Sequence, residues 1–132
     1  MKRGKPEPLP LAFSEQACQD LLVDLIRHEH LSRLHITLKV KNTFGSYGNW
    51  INNTICISRR GLEKNYYYGK ALVIHEFSHI VTHHRNGYGA KVHGKEFRRI
   101  EDRLLKLFGL SIKRARAYAT IIYHEGKEVW HK

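Results

Sequence analysis

The chain has 132 residues, 42% of them hydrophobic and 11% aromatic, with 23 Lys and Arg against 12 Asp and Glu for a net charge of +11. That is enough chain for one domain with a modest core, and too apolar for wholesale disorder. No apolar run approaches the roughly 18 to 20 residues of a membrane span, so no membrane partner is expected. The basic excess favours polyanions, nucleic acid above all.

Residues 1–10, Met1 to Pro10, are Pro-rich and basic and read as a flexible lead-in. They lack an apolar signal core, so export by that route is not expected. A single domain is expected over 11–132. Cys18 and Cys56 are the two cysteines, and they form no C-x-x-C pair. That argues against a disulfide scaffold, fits a cytoplasmic, reducing setting, and excludes a four-cysteine zinc ribbon within this chain.

Ser14 is placed to cap a helix running to about Leu31, with Leu21, Leu22, Leu25 and Ile26 as its buried stripe. Leu34 to Lys41 alternates apolar and polar residues and predicts a half-buried strand. Thr54 to Ser58 predicts a second strand after the turn residues Asn52-Asn53. Residues near Tyr47 to Trp50 would pair with it as a hairpin. Helical spacing predicts a helix over about Tyr67 to His84, ended by Gly87 and Gly89. Another is expected from about Gly94 to Phe108, with Phe97, Ile100, Leu104, Leu107 and Phe108 inward and Gly109 as its stop. Ser111 would cap a last helix through about Tyr123. One helix, then strands, then helices predicts an α+β fold, a short antiparallel or mixed sheet packed against helices.

The segment His75-Glu76-Phe77-Ser78-His79 is an H-E-x-x-H motif. On a helix, residues four apart share a face, so two imidazoles can aim at one point. A catalytic zinc takes three protein ligands and leaves a fourth position to water. Glu76 stands where it can accept that water's proton. Imidazole ligands favour zinc among common divalent metals. His93, opening the next helix, is the first choice of third ligand. Glu96 and Glu101 are alternatives. His83 shares the ligand face but stands two turns from His75, about 12 Å along the axis, too far to share its ion. The longer H-E-x-x-H-x-x-G-x-x-H pattern fails, because Thr82 and Arg85 occupy the Gly and third His positions. The plainer reading of the same residues is a set of hydrogen-bonded structural histidines.

His75 to His79 followed by His93-Gly94-Lys95-Glu96-Phe97 resembles the SprT-like (Spartan-type) zinc metallopeptidase core. The H-G-K-E-F block is the more discriminating half, and Ser46 to Ser58 resembles the strand before that family's active-site helix. The resemblance covers about residues 14 to 108 and is strongest at 72 to 100. It implies a small zincin-like domain in which His75, His79 and His93 bind one zinc ion and Glu76 is the base. It also implies proteolysis near DNA, including of proteins crosslinked to DNA. Many members add a C-terminal zinc ribbon, for which this chain has no cysteines.

The expected reaction is peptide hydrolysis, with Tyr118, Tyr123, His83 and His84 as candidate donors to the oxyanion. The Tyr47 to Ser58 hairpin reads first as ordinary core sheet, and its exposed face could also take an extended peptide by strand addition. The rival reading is a non-catalytic nucleic-acid-binding or interaction module with a structural metal site, which would need a fourth protein ligand.

Overall fold

The computed structural model describes residues 11–43, 45–87 and 93–116. Helix α1 spans Glu15–Glu29, and the Ser14 hydroxyl caps it by accepting from the Ala17 amide at 3.0 Å. Leu21, Leu22 and Leu25 are buried as expected, and Cys18 joins them. Burial of each leucine contributes about 1.5–3 kcal/mol. The helix ends where His30 turns left-handed and the Leu31 amide bonds back to the Ile26 carbonyl.

The strand expected from Leu34 begins later. Ser32–Leu34 is a single 3-10 turn, His35 is left-handed, and β1 runs Thr37–Lys41. Alternation of apolar residues over 34–36 imitated a strand, while local amide bonds (Leu34 to the Leu31 carbonyl, His35 to that of Ser32) fixed a turn. Strands β2 (Tyr47–Asn49) and β3 (Thr54–Ser58) form the expected hairpin. The Asn49 side chain accepts from the Ile51 and Asn52 amides and closes its turn. The sheet order is β1-β3-β2, with β1 parallel to β3 and β2 antiparallel to it. Ile55 to Ser58 of the central strand are all buried, as expected of a strand covered on both faces. The fold is thus α+β, with a mixed sheet.

A short helix, α2 (Arg59–Lys64), follows β3 directly and was not expected. It then gives way to α3 (Tyr66–Asn86), capped by the Asn65 carboxamide, which accepts from the Tyr68 amide at 2.6 Å. Helix α3 is buried on nearly every side from Ala71 to His83. Its buried hydroxyls are satisfied within the helix, Ser78 donating to the Ile74 carbonyl and Thr82 to that of Ser78. Gly87, at φ 78°, ends it, and Gly89 lies outside the described residues.

Helix α4 (Lys95–Leu107) buries Phe97, Ile100 and Leu104 as expected. Leu107 does not face inward. It is 51% exposed, and Leu105 is buried in its stead. Gly109, at φ 82°, closes α4: its amide bonds the Lys106 carbonyl and that of Leu110 the Leu105 carbonyl. This wrap folds Leu110 onto the core, while helix phase leaves Leu107 at the edge of the buried face that Leu105 widens on its other side. Ser111 caps a helical turn at 112–116, its hydroxyl accepting from the Arg114 amide. Tyr118 and Tyr123 lie outside the described residues, as do 1–10. No described helix is long and apolar enough to cross a membrane.

Candidate metal centre

Helix α3 presents His75 and His79 one turn apart on one face, and His93 arrives from the other side, two residues before α4. The ring centroids of the three histidines are 5.0 Å (75–79), 5.3 Å (75–93) and 4.8 Å (79–93) apart. One ligand atom from each lies within 4.8 Å of the others, so the cluster could hold a metal ion. The point equidistant from three atoms at that spacing is about 2.8 Å from each, against roughly 2.0–2.1 Å for a zinc–imidazole bond. Side-chain shifts of under 1 Å close the difference. Burial grades outward, from buried His79 through half-buried His75 to exposed His93, so the cluster opens to solvent on the His93 side.

The protonation of the cluster suits a cation. Burial, then the charges of His75, His93 and His83, push His79 down to about 2. Burial and the charge of His75 lower His93 to about 4. Both rings are therefore neutral near pH 7, with lone pairs to donate. His75 differs. Burial alone would lower it, but a hydrogen bond to Glu101 and the charges of Glu76 and Glu101 raise it above its usual value.

Glu76 is 4% exposed. Burial pushes it up to about 7, the charge of His75 opposes this, and the charge of Glu101 adds to it. A carboxyl poised there can take and return a proton near neutral pH, and a cation's positive charge would pull its value down. Strand β2 lies directly on the backbone of this residue. A methyl group added at Gly48 would collide with the Glu76 carbonyl oxygen, so glycine there sets how closely the strand approaches.

The alternative third ligands fall elsewhere. Glu96 is paired with Arg99 at 2.7 Å. Glu101 instead accepts from His75 Nδ1 at 2.7 Å, behind the ligand rather than beside it. His83 donates through Nδ1 to the His79 carbonyl at 3.0 Å, and its ring stacks on Trp50, centroids 4.5 Å apart and planes nearly parallel. His84 is exposed and hydrogen-bonded to Asn53 in the hairpin turn.

Two neighbours escaped the sequence reading. Phe97, read only as core, sits against all three histidine rings, at 5.1 Å from His75, 4.4 Å from His79 and 5.1 Å from His93. Its four-residue spacing from Glu101 was visible and puts both on one face of α4, just after His93. Trp50 gave no such signal, because its partner His83 is 33 residues away in sequence. Comparison of the chain with protein-family models, curated proteins and solved structures returned no significant match.

Proposed function

We propose that this chain is a zinc-dependent peptidase of the SprT-like kind, hydrolysing peptide bonds with Glu76 as the base. The observation that carries the reading is the meeting of three imidazoles from two separate segments, with a buried carboxylate one residue beyond the first. His75, His79 and His93 would hold the ion. When bound with one position open, such an ion supplies Lewis acidity that makes water acidic near neutral pH and polarises a carbonyl. Glu76 takes the attacking water's proton and delivers it to the departing amine. Phe97 keeps water from the rear of the three rings.

Two further features support a polypeptide substrate and a non-structural metal. Strand β2 is an edge of the sheet and lies against Glu76, so its backbone groups stand beside the site for an extended chain to pair with. A purely structural zinc site takes four protein ligands, and the cluster found among the described residues has three. The net charge of +11 supports substrates that sit on nucleic acid.

The test is metal analysis of the purified chain with casein digestion, with and without single-stranded DNA, for the unaltered protein and Glu76→Gln. The variant should keep its metal and lose cleavage by about 10²-fold or more. Undiminished cleavage would remove Glu76 from the mechanism. An unaltered protein that binds one metal ion and cleaves nothing would favour the non-catalytic nucleic-acid-binding or interaction module.

A further inference from the structure

His75 Nδ1 lies 2.7 Å from Glu101 Oε2, and both side chains are largely buried, at 16% and 12% exposed. An ionised carboxylate only accepts hydrogen bonds, so the proton on this contact sits on Nδ1. That leaves Nε2 as the nitrogen with which His75 can meet a cation. Glu101 belongs to α4, as does Phe97, and His93 precedes the same helix. Four residues apart, Phe97 and Glu101 share one face of that helix and set an apolar wall and a carboxylate beside the histidine cluster.

Resting on the metal-site reading above, we propose that Glu101 is a positioning residue: by fixing the Nδ1–H tautomer and ring orientation of His75, it sets the affinity of the three-histidine site for its metal. The competing role is purely structural, a buried polar contact that merely fastens α4 to α3. The two differ in what a substitution changes. A fastening contact alters how much protein is folded, whereas a positioning contact alters how tightly the folded protein binds.

The experiment is Zn²⁺ titration of the full chain against a competing chromophoric chelator, for the unaltered protein, Glu101→Gln and Glu101→Ala. Urea unfolding of each metal-free protein gives the folded fraction. Loss of such an outer carboxylate typically costs 10–100-fold in metal affinity. Glu101→Ala should fall in that range. Glu101→Gln should lose less, since an amide oxygen still accepts from Nδ1. Long-range ¹H–¹⁵N spectra of the zinc-loaded proteins should show His75 ligated through Nε2 and protonated at Nδ1 in the unaltered chain, with that Nδ1 proton weakened in the variants. Should Glu101→Ala fail to fold, the Gln variant and its spectrum decide the matter. Unaltered affinity in the folded variants would overturn the proposal while leaving the metal site standing. A fall in bound zinc that only tracks the folded fraction would do the same. Absence of zinc binding by the unaltered protein would overturn both readings.

Discussion

Glu29 is the buried carboxylate whose removal has the clearest consequence. It ends α1, is 4% exposed, and receives Arg103 of α4 through two bonds at 2.8 and 3.1 Å. Arg85 of α3 reaches it at 2.8 Å and also donates to its backbone carbonyl, while His28 Nδ1 lies 3.0 Å away. Burial alone would raise this carboxyl. The bonds from Arg103 and His28 and the charges of both arginines outweigh it and hold the group at about 2, against an ordinary 4.5. Such a displacement corresponds to about 3 kcal/mol in favour of the folded, charged form. Both arginines are about two-fifths exposed, and solvent screening reduces the figure to about 1.5–3 kcal/mol. Because the folded value lies below the unfolded one, the stability is fully present above about pH 4.5 and is lost as pH falls toward 2. By pH 3 less than about half should remain. Urea unfolding of the unaltered protein and Glu29→Gln, run from pH 7 down to pH 3, measures the gap directly. The variant should be less stable by about 1.5–3 kcal/mol at pH 7 with an unchanged m value, and the two should converge in acid. A gap that is absent at pH 7, or that persists undiminished at pH 3, would refute the reasoning.

Gly48→Ala should displace β2 from the Glu76 backbone, costing about 1–3 kcal/mol in urea unfolding; equal stability would show that the strand shifts freely. Zn²⁺ at a hundred times its dissociation constant should stabilise the folded chain by about 2.7 kcal/mol, a rise in melting temperature that excess chelator reverses. A melting temperature indifferent to both additions would argue that the three histidines hold no ion.

The parts of the fold that the sequence made legible are those decided within a few residues. Ser14, Gly87 and Gly109 marked helix ends through hydrogen bonds and left-handed backbone that neighbouring residues alone settle. Helix α2 was illegible: it has six residues with Gly61 among them, too short for periodicity to register. The parallel pairing of β1 with β3 was likewise out of reach, since that register joins residues 17 apart around an intervening strand. The site divides along the same line. His75 and His79 were legible because one helical turn relates them. The choice among His93, Glu96 and Glu101 depended on how two helices dock. Their packing sends Glu96 to Arg99, Glu101 to the far nitrogen of His75, and His93 into the cluster.

That docking gives the two helices unequal parts in the centre. Helix α3 is enclosed on nearly every side, so His75, His79 and Glu76 are held by core packing with or without an ion. Helix α4 buries one apolar face and also makes polar contacts to its neighbours, among them Glu101 inward to His75 and Arg103, two residues on and therefore roughly opposite, across to Glu29 at the end of α1. His93 stands two residues before that helix, at the exposed rim of the cluster. Of the three histidines it is the one whose place depends most on α4 being seated. A cation bridging α3 to residue 93 would therefore stabilise the seating of α4, as any ligand stabilises the state that binds it.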